Sequence, residues 1–432
     1  MLDIQFIREN RDLVGAKSKQ KGYSVDIAKL LELDEKRRQL QKQIELLRTQ
    51  RNELVNRSQG QKPSESETEQ GKNIKTQIVE AENTLKPIEK DFQIALKQVP
   101  NMPLADVPVG ENESGNQVAK TIGEPKKYDF KPLNHWELAE PRGMIDKERA
   151  VKISGSRFVY LKDKLVMLQF AIIQHVLQTL TNEQILKKLI EDNQLNISSK
   201  PFIPVIPPAL IKTEAYEASA RLNAAETTYK LEEDELWLNA SAEHSLCTMY
   251  IDEIISEKEL PIRYIGYSTS FRREAGSYGK DTEGLIRLHQ FDKLEMEVFS
   301  SPETGLDEHK LLIAIQEYLV LSLGLPYHVL LKCTADIGMP NARGVDIETW
   351  FPGEGAYRET HTADYMTDYQ ARRLKTRLRR DNGKIELVHT NDATAFACGR
   401  IIAAIIENYQ TSTGKIIVPD ILKPYMNGIN EI

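Results

Sequence analysis

Phe271 to Glu295, FRREAGSYGKDTEGLIRLHQFDKLE, gathers cations, an aromatic ring and carboxylates within 25 residues. The segment reads as two strands joined by a charged, glycine-bearing loop. Side chains alternate along a strand, so Arg287, His289, Phe291, Lys293 and Glu295 share one face of the second strand. Ile286, Leu288, Leu294, Met296 and Val298 fall largely on the other. The apolar face can be buried in a core, which leaves the polar face as a rigid platform. A solvated antiparallel sheet also shows polar residues on its open face. The addition of Arg272, Arg273 and Glu274 at the strand end goes beyond that bland pattern. Guanidinium suits phosphate and a ring suits a base, so the platform has the chemistry of a nucleotide site. The chain has no GxGxxG and no GxxxxGK[ST], so side chains would have to hold the phosphates.

The elements that must position this platform begin near residue 128. Strand-like stretches are Ser156–Leu161, Phe202–Ile206, Leu236–Leu238, Ile262–Phe271, Leu285–Phe299, Val329–Cys333, Asp346–Trp350 and Ile385–His389. Helical stretches are Lys164–Leu180, Asp307–Leu323, Asp368–Arg379 and Cys398–Tyr409. Several strands follow one another through hairpin-like turns, which predicts an α+β fold with a mostly antiparallel sheet flanked by helices. Residues 106–127, rich in Pro and Gly, read as a linker, and residues 128–432 as the domain that carries the platform.

The first 105 residues have a different character. Leu30, Leu33, Arg37, Leu40, Ile44, Leu47, Arg51 and Leu54 follow 3-4 spacing, as do Ile74, Ile78, Ala81, Leu85, Ile88, Phe92, Ala95 and Val99. That is a coiled-coil seam. The polar stretch SQGQKPSESETEQG between them reads as a turn, so the helices fold back as an antiparallel hairpin about 45 Å long. Pro87 is expected to kink the second helix. Arg37 and Arg51 weaken the seam unless their stems cover it and their heads reach solvent. Lys36, Arg38, Lys42 and Arg48 add cations to the first helix. Such a hairpin reads as a reaching device or, equally on shape, as a dimerisation coiled coil.

The net charge of −7 argues against a protein that coats nucleic acid by bulk charge, yet residues 1–100 carry 19 Lys and Arg against 16 Asp and Glu. A local polyanion contact at the N-terminal part fits that asymmetry, as does a solvated pair of charged helices. Cys247, Cys333 and Cys398 are far apart and form no CxxC, which fits a reducing compartment. The chain starts without a signal-peptide pattern, and its apolar runs are too short to span a bilayer, so a cytoplasmic location is expected.

The Phe271–Glu295 segment resembles motif 2 of the class II aminoacyl-tRNA synthetases, and the seryl enzymes most closely. HTNDATAFACGRIIAAIIENYQ resembles motif 3, a strand followed by a glycine-arginine step into a helix. SGSRFVYL with Pro207-Pro208 resembles the motif 1 region, and the ending Val418-Pro419-Asp420 through Pro424-Tyr425-Met426-Asn427-Gly428 also looks like the seryl family. The resemblance covers essentially the whole chain. It implies a six-stranded antiparallel catalytic sheet, a homodimer and a tRNA-binding N-terminal arm carrying Lys36, Arg38, Lys42 and Arg48. It also implies a two-step reaction: serine and MgATP give seryl-adenylate, and the seryl group passes to the terminal adenosine of serine tRNA, or of selenocysteine tRNA where one exists.

The resemblance implies these roles. Arg272 meets the ATP α-phosphate and the serine carboxylate, and Glu274 contacts ATP. Arg273 falls in the same ATP-binding stretch but stands where many members have a smaller residue. Phe291 lies under the adenine, and Arg287 meets the phosphates. Glu295 binds serine, with Ser241, Ala242 and Glu243 standing for the family's Thr-Ala-Glu and Thr394 near the substrate hydroxyl. Arg400 meets the γ-phosphate. Glu359 and Thr362 contact ATP and Mg²⁺, with Thr360 and His361 between them. Arg272, Arg400 and Glu359 form the catalytic set. The chain departs from the family at Glu359-Thr360-His361-Thr362-Ala363-Asp364-Tyr365, where the pattern is Glu-Ile/Val-Ser-Ser-Cys-Ser-Asn, and at Asp392, where Asn is common. Two other readings are an amino acid:carrier-protein ligase on the same sheet, which would lack the arm, and an inactive paralogue, which would lack Arg272, Glu295 or Arg400.

Overall fold

The computed structural model describes residues 1–57, 64–221, 228–274 and 283–432. The loop 275–282 within the opening segment, and residues 58–63 of the expected turn, lie outside the described residues. The chain divides into two compact units, Met1–Met102 and Pro103–Ile432.

The first unit has two short helices, α1 (Ile4–Glu9) and α2 (Arg11–Gln20), and two long ones, α3 (Ile27–Arg57) and α4 (Glu65–Lys97). The long pair is antiparallel: Arg37 meets Glu89, Leu47 packs with Ile74 and Ile78, and Arg48 meets Glu82. At 31 and 33 residues, each helix is about 45–50 Å long. The turn is shorter than the polar stretch. Ser64 and Glu67 form a reciprocal capping box that starts α4 at Glu65, so SETEQG is helical. The two seam arginines behave differently. Arg37 lies over the Phe92 ring at 4.3 Å and pairs with the buried Asp34 at 3.0 Å, whereas Arg51 is exposed. Asp34 also holds Arg8 of α1 at 2.6 Å, tying the short helix to the long one. α4 runs through Pro87, which sits on its exposed side.

The second unit is built on eight strands: β1 (Gln117–Ile122), β2 (Ile203–Val205), β3 (Ile262–Phe271), β4 (Gln290–Ser300), β5 (Tyr327–Leu331), β6 (Arg343–Phe351), β7 (Ala356–Thr367) and β8 (His389–Ala397). Their order across the sheet is β1-β5-β6-β7-β8-β4-β3-β2. Every pairing is antiparallel except β2 on β3. Beyond the expected six strands, β1 forms one edge and β2 the other. β1 lies inside the stretch read as a linker. That stretch is pinned down because Asn116 bonds both Asp336 and the Cys333 amide, and because Gly110 and Gly115 let the backbone pass against Cys333. A Cβ at Gly110 would lie 2.7 Å from the Cys333 sulfur.

One face of the sheet is dry. Leu294, Met296 and Val298 of β4 pack against α5 (Lys164–Leu180), α7 (Gly305–Ser322) and α8 (Cys398–Asn408) through residues such as Leu168, Leu312, Ile315 and Ile402. Each such side chain contributes about 1.5–3 kcal/mol relative to exposure. The short helix α6 (Ala242–Leu246) lies between α5 and α7 in sequence and packs on the other face near β3. That other face carries Lys293, Glu295 and Glu297.

Three expected elements change shape. β4 begins at Gln290, because Leu285, Ile286 and Leu288 are all buried and the alternation fails before it. Ser156–Leu161 contracts to a two-residue strand at Tyr160–Leu161, after the positive φ of Arg157. Asp368–Arg379 is a helix only over Tyr369–Leu374. Lys375 turns left-handed, and Arg377–Arg379 pairs as a strand with Ile254–Ser256 and Ile385–Leu387.

Candidate active site

A cavity of about 200 Å³ opens on the polar face of the sheet, where β3, β4, β7 and β8 lie side by side. Two bulges decide which side chains enter it. Between β6 and β7, Ile347 pairs with His361 and Glu348 with Glu359, so Thr360 is an extra residue. The insertion breaks the period of two and puts Glu359 and Thr362, three residues apart, on the same face. Between β4 and β8, Leu294 pairs with Phe396 and Glu295 with Thr394, so Ala395 is extra. Thr394 therefore stands directly opposite Glu295. The next row along runs Glu297, Asp392, Asp364 across β4, β8 and β7.

At one end of the cavity, Arg272 and Arg287 lie near Phe291. The Arg272 guanidinium is 5.4 Å from the Phe291 ring centroid, and its Nε donates to the Ala240 carbonyl at 3.2 Å. Arg287 Nη1 donates to Glu274 Oε2 at 2.7 Å, and Glu274 holds a left-handed φ of 50° to present that carboxylate. At the rim, Arg400 Nη1 donates to the Glu359 carbonyl at 2.8 Å and to its carboxylate at 2.9 Å. Arg400 is the third residue of α8, where its cation adds to the positive helix end. Partial desolvation in the cleft pushes the half-exposed Glu359 carboxyl up, but Arg400 and then Lys332 outweigh it and hold it down at about 2.

The other end is a nest of buried charge. Lys293 Nζ lies 2.5 Å from Glu295 and donates to Ser241 Oγ at 3.1 Å, and Ser241 donates on to Glu295 at 3.2 Å. Arg221 contacts Asp392, with Asp364 at 3.5 Å and Glu243 at 3.7 Å. Burial raises Glu295 to about 7 against the pull of Lys293, with Glu243 adding repulsion. Burial likewise pushes Asp392 well up, against Arg221. Glu243 goes the other way: burial is outweighed by Arg221 and Lys293, which keep it ionised. One end thus offers fixed cations for phosphate and a ring for a base. The other offers carboxylates for an ammonium and the hydroxyl of Thr394.

Most of the residues singled out from the sequence meet here: Arg272, Glu274, Arg287, Phe291, Glu295, Glu243, Glu359, Thr360, Thr362, Thr394 and Arg400 all line the cavity. Ser241 is fully buried just behind it, bonded to Glu295. Three do not fit. Arg273 is exposed and turns to the Tyr229 ring at 5.9 Å, because neighbours on an extended chain point oppositely. His361 lies on the far side of β7, against Phe396, with Nδ1 2.8 Å from the Thr360 hydroxyl; burial lowers it to about 3. Ala242 packs into the apolar cluster beside Leu246, facing Gly266. Sequence reasoning passed over Arg221 and Lys293. Lys293 was visible on the polar face of its strand, but Arg221 belongs to no motif and gave no signal. In the first unit, Lys36, Arg38, Lys42 and Arg48 are all exposed; Lys36 pairs with Glu32, Arg38 with Glu35 and Arg48 with Glu82.

Comparison with known proteins agrees with this geometry. Residues 1–103 match the seryl-tRNA synthetase N-terminal domain, and residues 227–409 match the class II tRNA synthetase core domain of the G, H, P, S and T enzymes. The serine–tRNA ligase of Thermodesulfovibrio yellowstonii is 37% identical over 441 aligned residues, covering 100% of both chains. That of Symbiobacterium thermophilum is 38% identical, covering 98% of each. Among solved structures, the seryl-tRNA synthetase of Pyrococcus horikoshii complexed with ATP superposes with a TM-score of 0.88 at 35% identity, covering 100% of this chain and 99% of the other. The cytoplasmic serine–tRNA ligase of Naegleria fowleri in complex with AMP gives 0.85 at 27% identity, over 100% and 98%. With both of its units matched and relatives aligned end to end, this chain belongs to the seryl-tRNA synthetases, a class II aminoacyl-tRNA synthetase family.

Proposed function

We propose that the cavity joins L-serine to ATP as seryl-adenylate and that the chain then passes the seryl group to the 3′-terminal adenosine of serine tRNA. The observation that carries the reading is the division of one cavity into a cationic, ring-bearing end, where Arg272 lies over Phe291, and an acidic end. Arg272 would bridge the α-phosphate and the serine carboxylate, since its planar fork fits both anions. Phe291 would carry the adenine, Arg287 with Glu274 the triphosphate, and Arg400 the γ-phosphate. Glu243 would take the substrate ammonium. Glu295, with Ser241 behind it, and Thr394 would take the hydroxyl.

Activation needs no general base, because the attacking carboxylate is already ionised. Its oxygen bonds to the α-phosphorus in line with the departing pyrophosphate, which leaves with the electron pair. Alignment and fixed cations supply the catalysis. The donor set fits Mg²⁺: Glu359 is an ionised, half-exposed carboxylate on the cavity wall. Thr362 spends its proton on Asp346 at 2.5 Å, which leaves oxygen lone pairs for a hard cation. Bound there with the nucleotide, Mg²⁺ would add positive charge on the phosphate oxygens.

Arg272, Glu295 and Arg400 together in one cavity weigh against an inactive paralogue, and the N-terminal unit weighs against a carrier-protein ligase. The remaining expectations complete the proposal: a homodimer, an N-terminal arm that holds tRNA through Lys36, Arg38, Lys42 and Arg48, use of selenocysteine tRNA where one exists, and a cytoplasmic location. Among the described residues no helix is long and apolar enough to cross a membrane. The test is ATP–pyrophosphate exchange with serine, threonine, alanine and glycine. Exchange with serine alone supports the reading, and its absence in folded protein refutes it.

A further inference from the structure

Residues 285–288 form one wall of the cavity, and Arg287 reaches the phosphate end from it. They precede β4 and belong to no strand, so no sheet ladder fixes their backbone. A buried histidine–carboxylate pair holds them instead. The Leu285 N–H donates to His135 Nε2 at 2.9 Å, and His135 Nδ1 lies 2.8 Å from Glu407 Oε1. An amide N–H can only donate, so Nε2 accepts and the ring proton sits on Nδ1, where it is donated to the carboxylate. Both side chains are fully buried.

Three stretches of chain converge on that pair. Glu407 Oε1 also accepts from the His135 backbone N–H at 3.1 Å, and Oε2 accepts from the Gly353 N–H at 2.9 Å. Gly353 lies in the turn that leads into β7 and so to Glu359; a Cβ there would lie 2.7 Å from the Asn134 backbone. Glu407 follows Arg400 by seven residues on α8, two turns along the same helix face. The Leu285 carbonyl packs on the start of that helix, where a Cβ at Gly399 would lie 2.9 Å from it. Gly284, at a left-handed φ of 68°, brings the backbone against the ring: a Cβ there would lie 2.0 Å from His135 Nε2. The segments bearing Arg287, Arg400 and Glu359 are thus referred to one buried carboxylate, and His135 spends its only acceptor on the amide two residues before Arg287.

We propose that His135 is a positioning residue for serine activation: with Glu407 behind it, it holds the Leu285 amide and thereby sets the Arg287 guanidinium against the triphosphate of ATP. The inference rests on the function proposed above. Without the ring nitrogens the Leu285 amide loses its partner, the wall shifts, and Arg287 leaves the position from which it meets the phosphates. Glu243, Glu295 and Thr394 stand on other elements, so the serine end is spared. A loss confined to ATP separates this role from a general loss of folded protein, which lowers kcat and leaves both KM values alone.

The test is pyrophosphate exchange by the full chain, with ATP affinity read by calorimetry, for the parent, His135→Phe and His135→Gln, each with and without Arg287→Ala. Phenylalanine keeps a ring and removes both nitrogens, whereas the glutamine amide keeps one donor and one acceptor. His135→Phe should raise KM for ATP about tenfold, the loss of one hydrogen bond to a charged group, with KM for serine within about threefold of the parent. His135→Gln should recover most of that loss. In the Arg287→Ala background His135→Phe should weaken ATP binding less than about threefold, because the two changes remove the same contact. Equal rises in both KM values, a fall in kcat alone, or a full tenfold effect without Arg287 overturns the inference while leaving serine activation standing. Absence of exchange in the parent removes the proposed function and this inference together. Should His135→Phe fail to fold, Gly284→Ala is read by the same criteria, since its methyl drives the Leu285 segment off a ring that Glu407 still holds.

Discussion

Glu295→Gln should make the second unit more stable at alkaline pH while disabling it. Glu295 is 2% exposed, and burial lifts its carboxyl from an ordinary 4.5 to about 7 against the pull of Lys293 at 2.5 Å, with Glu243 adding to the rise. A carboxyl whose folded value lies above its unfolded value binds its proton more tightly when folded. Its ionisation therefore costs nothing below pH 4.5, costs more as the pH climbs from 4.5 to 7, and costs its full amount above 7. The difference corresponds to about 3 kcal/mol. Glutamine keeps an acceptor for Ser241 and Lys293 but cannot ionise. It also leaves Lys293 with Glu243 at 3.9 Å as its nearest carboxylate, which takes back part of the gain. The net expectation is about 1–3 kcal/mol of added stability at pH 8 and about none at pH 4.5, with serine-dependent exchange down about tenfold or more. Urea unfolding followed by tryptophan fluorescence reads the right unit, because Trp136, Trp237 and Trp350 all lie in it. A variant less stable than the parent at pH 8, or an equal gain at both pH values, would refute burial-driven ionisation as the cause.

Arg272→Ala should lower pyrophosphate exchange by about 10²-fold or more with an unchanged circular dichroism spectrum, as expected for loss of a fixed transition-state cation. Glu308→Ala should cost about 3–5 kcal/mol in the same urea assay, because Arg263 behind it is wholly buried and loses a two-point ion pair at 2.8 Å on each bond. His361→Gln should leave KM for ATP unchanged, since the ring faces Phe396 and not the cavity, whereas Glu359→Gln should raise it. Lys42 is exposed and carries no ion pair among the described residues, so Lys42→Glu should weaken aminoacylation of serine tRNA while sparing pyrophosphate exchange.

What the amino-acid order made visible is what depends on a regular period. Helix α5 and the apolar face of β4 repeat cleanly, and the long helices could be paired because their seams run past Arg37 and Arg51 without losing phase. The strand β7 was hidden because Glu359, Thr360, Thr362 and Asp364 are polar for the sake of the cavity, so a buried strand reads as a solvated loop. The site itself was half legible for the same reason. Resemblance to the family's motifs brought out Arg400 and the roles of Arg272 and Glu295. It also drew in His361, which lies within one residue of two cavity-lining side chains. Which of four neighbours turns inward is set by Thr360, an extra residue opposite the Ile347–Glu348 step, and a bulge is a property of two strands read together. Arg221 escaped altogether because its partners, Glu243, Asp364 and Asp392, come from three separate stretches of chain. No spacing rule joins them. Their charge is gathered only in the fold, so the residue least visible in the sequence is the one that joins the three carboxylates.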